Sequence, residues 1–306
     1  MNLINDRWIP ARTKTGEKIK IAPWQITEGM GTDHEIIELA AVRPDFNGAL
    51  IQFLIGLLQT TCAPKDNSDW RSWLNTPPSA AELKKKFAPI TFAFELDGVG
   101  PRFMQDLNIE KEEKKTEEGI ANLLIDEPGE QTLKQNKDLF IKRDRIKQLC
   151  LSCGAQALLT LQINAPEGGR GHWAGLRGGG PVSTIVLDNN LWRTVWCNVL
   201  DVDELAIFGT TEKNDNADKF PWLKETRVSA AQTLKDEKGK KEKTYSNTFT
   251  SQDVNPCHIY WAISRRIRLC IDSEQCICDL CHQPGQRTSK YYTKPYGAKY
   301  TGFIHP

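Results

Sequence analysis

The sequence predicts an α+β fold, arranged as a single large, irregular mixed domain with long loops. Apolar residues recur at helical spacing in some segments and alternate with polar residues in others, which predicts both helices and strands. Polar, charge-rich stretches separate these segments and predict the loops. A chain of 306 residues can bury a large core, and its 39% hydrophobic and 26% charged content is typical of a soluble globular protein.

In the first half of the chain, periodicity and capping residues define the elements. Residues 45–61 carry apolar side chains at a helical period and should form the main buried helix. Residues 79–87 predict a shorter helix, because Ser79 is followed three residues later by Glu82 in a capping-box pattern. The other predicted elements are a strand over 2–9 with a hairpin partner at 18–21, helices over 33–41 and 69–74, a strand over 90–96, and an exposed loop or mobile helix over 108–118.

The second half has fewer strong periodic signals. A long surface loop is predicted over 126–140, followed by an apolar, helix-like run after Cys150. Residues 191–200 predict a buried strand or helix. A strand is expected over 181–187, polar loops over 212–219 and 235–243, and globular composition resumes over 258–269.

The charge balance restricts how the chain can bind nucleic acid. Lys and Arg total 40 against 39 Asp and Glu, which excludes a uniformly basic surface and leaves only a local basic patch. The N-terminus lacks the pattern of a signal peptide, and no window approaches the roughly 18 apolar residues of a membrane span. We therefore expect a cytoplasmic chain without membrane contact, whose nine cysteines are thiols or metal ligands rather than disulfides.

Two cysteine pairs predict a metal site. Cys150 and Cys153 are separated by two residues, as are Cys278 and Cys281, and this spacing lets both thiolates of a pair reach one tetrahedral ion. Together the pairs supply four thiolates for a shared zinc ion. A four-thiolate site leaves no coordination position for a reactive water, so the zinc would be structural.

The cysteine pattern also admits other interpretations. Cys276 or His282 could replace one of the four ligands, since both lie in the second cluster. The Cys278–His282 segment matches the attachment pattern of haem c, and the first pair matches a thioredoxin-like redox motif. Reduced core cysteines without a metal are the remaining alternative.

A glycine-rich stretch over 166–181 follows the first cysteine pair and contains Arg170, His172 and Arg177. Glycines permit positive φ and let a backbone approach a ligand closely, although two structural turns would need the same composition. The stretch is neither a Walker A loop nor a dinucleotide fingerprint. Five dispersed histidines and the absence of a recognisable catalytic motif favour a binding protein over an enzyme.

Short motifs in a fixed order carry a family resemblance. They are the opening MNLINDRWIP, Phe-Met-Gln at 103–105, the first cysteine pair, GLRGGGPV at 175–182, the second cysteine cluster and YTGFIHP at 300–306. In this order the chain resembles the large subunit of the type I-E CRISPR surveillance complex Cascade, the CasA family, over essentially its whole length. The resemblance implies that residues 1–306 form the N-terminal domain of this subunit and that the family's C-terminal helical bundle is absent.

The resemblance also implies a function and partners. A family member is a non-catalytic subunit of an RNA-guided antiviral complex, and it reads the protospacer-adjacent motif in double-stranded DNA, largely through the minor groove. Its expected partners are other Cascade subunits, CRISPR RNA, target DNA and the effector nuclease-helicase that it helps to recruit. Target sequence itself is read by guide pairing. The alternatives are a cytosolic zinc- or thiol-dependent redox enzyme and a pure assembly scaffold.

Local matching to the family's motifs assigns roles to individual residues. The resemblance implies contact with the guide or complex by Phe140 and Ile141. It implies contact with DNA by Lys142, Gly169, Arg170, Gly171 and Lys294. The family loop is a purer glycine run, from which Glu167 and Arg170 depart. Lys290 and Lys299 are the alternatives to Lys294.

Overall fold

The computed structural model describes residues 1–141, 145–166, 168–169, 171–178, 184–229, 231–235, 241–245 and 247–305. Its strands are β1 (Ile9–Thr13), β2 (Lys18–Ile21), β3 (Ile36–Leu39), β4 (Thr116–Gly119), β5 (Leu149–Cys150), β6 (Ala231–Lys235), β7 (Lys241–Tyr245), β8 (Thr248–Phe249), β9 (Arg266–Ile277), β10 (Pro284–Lys294) and β11 (Lys299–Tyr300). Its α-helices are α1 (Pro44–Cys62), α2 (Asn67–Asn75), α3 (Ala80–Phe87), α4 (Glu130–Lys134), α5 (Leu151–Asn164), α6 (Leu191–Trp196), α7 (Val202–Ala206), α8 (Asn216–Lys219) and α9 (His258–Trp261).

The sheet that organises the second half is built around β10. Strand β9 pairs with it along its whole length as an antiparallel hairpin partner. On the other edge, β5 pairs antiparallel at 287–288 and β4 at 290–293. A separate antiparallel sheet has the order β2-β1-β3, and β6-β7 and β11-β8 form two-stranded pairs. The central strand therefore links segments that are far apart in sequence.

Helix α1 supplies the centre of the hydrophobic core. Pro44 stands at its first turn, where a missing backbone N–H costs nothing. The Phe53 ring packs edge-to-face against Phe94, Phe103 and Trp261 at centroid distances of 5.8–6.0 Å. These rings come from both halves of the chain, and buried residues of both halves form one core cluster. The prediction of a mixed α+β fold is confirmed.

Several predicted elements agree with the structure and others do not. The capping box of α3 is present, with Ser79 Oγ accepting from Glu82 N at 3.3 Å. The helix predicted over 33–41 is wrong, because Ile36–Leu39 is a strand that pairs antiparallel with β1. The strand predicted over 90–96 is also wrong: Ala88–Phe94 is a 3-10 helix that continues from α3. Its buried residues Ile90, Ala93 and Phe94 follow a helical spacing.

Other differences lie in the segments predicted as loops. Residues 108–118 contain a 3-10 turn, Ile109–Lys111, and most of β4. Polar segments on both sides of 236–240 form the hairpin β6-β7, and 236–240 lies outside the described residues. Of the strand predicted over 181–187, residues 181–183 are outside the described part and 184–187 have no strand structure. Among the helices of the described residues, none is both long and apolar enough to span a bilayer.

Candidate zinc and nucleic-acid site

Four cysteine sulfurs converge at one end of the β9-β10 hairpin. The Sγ atoms of Cys150, Cys153, Cys278 and Cys281 all lie within 4.8 Å of one another. Cys150 Sγ and Cys281 Sγ are 3.7 Å apart. A tetrahedral zinc ion with Zn–S bonds of about 2.3 Å requires sulfurs about 3.8 Å apart, so the donor set fits zinc.

Backbone contacts bring the two pairs together. Cys150 pairs with Arg287 in the sheet, and a Cβ on Gly285 would lie 2.8 Å from Cys150 Cβ, so a glycine is needed for this close approach. The carboxylate of Asp279 accepts hydrogen bonds from the amides of Lys147 and Gln148 at 2.7 and 2.9 Å. The loop before the first pair is thereby fixed to the turn that carries the second.

The second pair sits on a tight turn after β9. Cys278 N donates to Gln283 O at 3.0 Å, and His282 N donates to Cys278 O at 2.9 Å. His282 has a positive φ of 56° that closes the turn. Cys276 and His282, the alternative ligands, are not members of the four-sulfur group found among the described residues. The structure therefore selects Cys278 and Cys281 as partners of the first pair.

Electrostatics of the cluster favour a bound cation. The pKa of Cys278 lies far below its usual value because its sulfur accepts hydrogen bonds from Cys150 and Cys153. The pKa of Cys153 is raised, first by its hydrogen bond with Cys150 and then by that with Cys278. Ionising all four thiols would crowd like charges together, and a divalent cation removes this repulsion. Zinc held here has no open position and would act structurally.

Helix α5 and the β9-β10 hairpin run from the cluster to a second region. Cys150 is the N-cap residue of α5, whose 14 residues extend about 21 Å. At the far end, Gln162 Nε2 donates to Arg265 O at 2.9 Å, and Arg265 N donates to Gln162 Oε1 at 3.0 Å. This pair of bonds fixes the last turn of α5 to the residue that precedes β9. The glycine stretch begins where α5 ends.

Gly168, Gly169, Gly171 and His172, the described residues near the start of the glycine stretch, belong to a closed turn, the glycine turn. His172 N donates to Gly169 O at 2.9 Å, and Gly168 N donates to His172 O at 3.0 Å. Gly171 has a φ of 81°, and a Cβ there would lie 2.8 Å from Pro295 Cβ. Gly169 is exposed and has no neighbouring atom within 4 Å of a would-be Cβ. Gly171 is therefore buried against the end of β10, whereas Gly169 presents its backbone to solvent.

The Arg265 guanidinium supports this turn, which the sequence interpretation missed. Its Nε donates to Trp173 O at 2.9 Å and its Nη2 to Pro166 O at 2.6 Å, so it bridges the two ends of the turn. The pKa of His172 is lowered by burial and by the charge of Arg265, which keeps the imidazole neutral near pH 7. No local motif marks Arg265; its position opposite Gln162 in the fold is what identifies it.

Lys294 lies at the end of β10, beside the residues that contact Gly171. Its Nζ donates to Glu112 Oε2 at 2.5 Å and to Glu113 O at 3.0 Å. Glu112 also pairs with Arg266. The hydrogen bond from Arg266 is the main cause that lowers the pKa of the Glu112 carboxyl; burial opposes this shift, and the bond from Lys294 adds to it. The Lys294 side chain is 21% exposed. Its charge is thus compensated by an acid 182 positions away in the chain, which sequence spacing did not reveal.

A groove of about 490 Å³ lies between Lys294 and the α4 region. The basic residues Lys294 and Arg265 line it together with His172. The acidic residues Glu118, Glu127 and Glu130 line it as well. The groove therefore carries charges of both signs.

The remaining predicted residues do not line this groove or lie outside the described residues. Phe140 is 92% exposed, and its neighbour Ile141 is also exposed, so the 139–141 segment presents apolar side chains to solvent. Lys142 and Arg170 lie outside the described residues. Arg177 is mostly buried, with Nη2 at 2.8 Å from His305 Nε2, and burial lowers its pKa to about 10.

Comparisons with known proteins agree on one family. The family model for CRISPR-associated protein Cse1 matches residues 2–306. The crystal structure of CasA from Thermus thermophilus superposes with a TM-score of 0.63 at 18% identity, over 100% of this chain and 54% of that one. Cse1 from Thermobifida fusca gives 0.64 at 16% identity, over 98% and 52%. Cse1 from Acidimicrobium ferrooxidans gives 0.59 at 14%, over 98% and 52%. The chain spans about half the length of these solved relatives, and at these identities the likeness establishes the fold alone.

Proposed function

The chain belongs to the CRISPR-associated Cse1 family, and on that premise we propose that it is a non-catalytic subunit of the RNA-guided antiviral complex Cascade, acting in the cytoplasm. In this role it recognises the protospacer-adjacent motif in double-stranded DNA and helps to recruit the effector nuclease. The observation that carries the proposal is the hydrogen bond from Tyr296 N to Gly171 O, 2.7 Å long. It joins the glycine turn to the segment of Lys294.

The chemistry of this junction suits the minor groove of DNA. Both A·T orientations present only acceptors there, adenine N3 and thymine O2, and the groove is about 6 Å wide. Gly169 offers exposed backbone without a side chain, so it can approach closely, and Lys294 offers a charged donor. Both features favour recognition by backbone and lysine contacts. Arg170 and Lys142 remain proposed DNA contacts from the family resemblance.

Lys294 must exchange one partner for another when it binds DNA. Its bond to the Glu112 carboxylate neutralises much of its charge. Contact with a base edge would break this ion pair, so part of the binding free energy is offset by its loss. Glu112 remains paired with the buried Arg266 after the exchange, which limits the cost.

The proposed zinc would act on recognition indirectly. It would fix the N-terminus of α5 to the β9-β10 end, and both elements extend from there to the glycine turn and Lys294. Rigidity at the metal end then positions the two DNA-contacting segments relative to each other. We propose in addition that the exposed Phe140 and Ile141 contact the guide RNA or another Cascade subunit, where their apolar surface would be covered.

The test is binding of a guide-loaded complex, assembled with and without this chain, to duplexes that share a target and differ in the flanking motif. We expect the chain to confer preference for one flank. Equal strengthening of binding to all flanks would contradict motif recognition and favour a scaffold or a non-specific clamp. Binding should be compared at matched salt, because phosphate contacts make affinity strongly salt-dependent.

A further inference from the structure

Two buried arginines on β9 differ in how well their guanidinium groups are satisfied. Arg266 Nε donates to Asp106 Oδ2 at 2.7 Å, and its Nη2 pairs with Glu112. Arg268 lies two residues further along the same face, with a side chain only 3% exposed. Its Nη2 donates to Gly100 O at 3.1 Å, but among the described residues its buried Nε and Nη1 have no hydrogen-bond partner.

A second guanidinium lies next to Arg268. Arg102, 13% exposed, donates from Nε to Gly98 O at 2.8 Å and contacts Leu269 O at 3.4 Å. Burial lowers the pKa of Arg268, and the neighbouring charge of Arg102 lowers it further. Two cations are therefore held close together in a largely buried position, which is unfavourable unless an anion compensates them.

The acid shared by both arginines is loosely placed. Glu110 Oε2 lies 3.4 Å from Arg268 Nε, and Glu110 Oε1 lies 3.8 Å from Arg102 Nη1. Asp97 is 3.9 Å from Arg102. These separations exceed those of strong charge-assisted hydrogen bonds, which are about 2.7–2.9 Å. Glu110 is 43% exposed on a three-residue turn, so its side chain can leave without disturbing the sheet.

A buried, incompletely bonded guanidinium costs stability in a purely structural role. The planar fork of arginine matches phosphate oxygens, and a phosphate could accept from the unsatisfied Nη1 and Nε of Arg268 and from Arg102 together. Arg266, which is already bonded to two carboxylates, has no comparable capacity. The difference between these two arginines therefore identifies Arg268 as the ligand-binding member.

We propose that Arg102 and Arg268 form a phosphate-binding site closed by Glu110, and that its ligand is a backbone phosphate of the DNA duplex. The choice of DNA rests on the function proposed above. Across the hairpin, Lys294 pairs with Arg266 and Tyr292 with Arg268, which puts the site about 7 Å along the sheet from Lys294. A duplex held at Lys294 would therefore bring its backbone within reach of this site.

The experiment measures binding of the 306-residue chain to a short duplex that carries no flanking motif, by fluorescence anisotropy over a series of salt concentrations. Glu110→Gln should tighten binding about threefold to tenfold, because the competing carboxylate is removed. Glu113→Gln is the matched control: it removes the same charge from an exposed neighbour that has no ion pair with either arginine. It should change affinity less than twofold. Equal gains from both variants, or no duplex binding by Glu110→Gln at low salt, would overturn the proposal.

The salt dependence provides a second measurement. The slope of log K against log salt concentration is negative, and loss of one phosphate contact decreases its magnitude by about 0.9. Arg268→Gln should show this decrease. Arg102→Gln, at a less buried position, should show a similar decrease and provides the test if Arg268→Gln folds poorly. Unchanged slopes in folded variants would contradict the proposal.

Inorganic phosphate distinguishes a free anion from a DNA backbone. If phosphate alone at low millimolar concentration binds the Glu110→Gln chain while the duplex slopes are unchanged by Arg268→Gln and Arg102→Gln, the ligand is a free anion and the DNA assignment is wrong. Because the duplex carries no motif, this result is independent of the flank comparison. If the chain confers no flank preference but the arginine variants still decrease the salt slope, the proposed function fails and the phosphate site stands. If the chain confers flank preference but the slopes are unchanged in these variants, the phosphate site fails and the proposed function stands.

Discussion

The two ends of the α5 and β9-β10 unit are built in different ways. At the cysteine end, four sulfurs lie within 4.8 Å of one another, and hydrogen bonds from backbone amides hold the segments that carry them. At the glycine end, Gly169 is exposed and Lys294 is held by a carboxylate from a distant segment. A metal bound by the four cysteines would fix the contacts at the cysteine end. At the glycine end, a ligand can replace the carboxylate that holds Lys294.

This difference separates rigidity from recognition. A four-thiolate site with no open position supplies fixed geometry and no chemistry. An ion pair at a partly exposed lysine supplies a charge that can change partners at small cost, since such pairs contribute only about 0–1 kcal/mol. The comparison predicts that damage at the cysteine end lowers stability and that damage at the glycine end lowers recognition.

The largest effect is expected at the cysteine end. Cys278→Ser should abolish zinc binding, measured as one zinc per chain by native mass spectrometry, and should lower stability by about 4 kcal/mol or more. For a chain of this size that corresponds to a fall in Tm of about 6 °C or more, measured by thermal unfolding. A Cys278→Ser chain that keeps its metal, or a fully folded wild-type chain without metal, would contradict the structural-zinc hypothesis.

Cys276→Ser is the matched control for this variant. Cys276 is buried two residues before Cys278 but lies outside the four-sulfur group. Cys276→Ser should keep its zinc and lose at most about 1 kcal/mol of stability.

Thiol titration of the zinc-loaded chain also tests the redox alternative. Inert cysteines at 150, 153, 278 and 281 favour the structural site, and a reactive thiolate of low pKa in the presence of zinc favours an enzyme.

The parts of the fold that local sequence signals specify were predicted well. Residues 45–61 have an apolar period that only a helix satisfies, and α1 spans Pro44–Cys62. Failures occurred where tertiary contacts decide. Residues 36–39 become a strand because β1 offers them a pairing partner. Apolar and polar residues alternate in the segment that was predicted as a strand, but Ala88–Phe94 continues from α3 as a 3-10 helix. Its buried residues are therefore at helical spacing. Propensity alone could not reveal either environment.

The candidate site shows the same division. The Cys-x-x-Cys spacing is a local signal, and the structure brings both predicted pairs together. Gly171 and Lys294 were assigned to DNA contact by family motifs alone, because no periodic pattern links residues so far apart. The compensating Glu112 and the supporting Arg265 were not predicted as site residues. Each acts through a partner that is distant in sequence, so only the folded chain reveals it.

The second prediction concerns the glycine turn and contrasts two neighbouring glycines. Gly171→Ala should lower stability by about 3 kcal/mol, because its φ of 81° is unfavourable for alanine and the new Cβ would lie 2.8 Å from Pro295. Flank preference should fall with it, since the turn would separate from β10. Gly169→Ala should leave thermal stability unchanged, because its Cβ would meet no atom within 4 Å. If the two variants were equally stable, Gly171 would not anchor the turn.

The smallest of the three effects is expected at Lys294. Lys294→Ala should weaken binding to a motif-bearing duplex by about 1–2 kcal/mol, the lower part of the range for a groove contact, because wild-type binding must first break the bond to Glu112. Stability should change by less than about 1 kcal/mol. Lys290→Ala is the matched control: this lysine lies four residues earlier on β10 and pairs with the exposed Glu117 at 2.6 Å. A loss of flank preference in Lys290→Ala with full preference in Lys294→Ala would transfer the groove contact to Lys290. It would also mean that the ion pair with Glu112 holds the hairpin to the 108–118 segment and has no part in DNA binding.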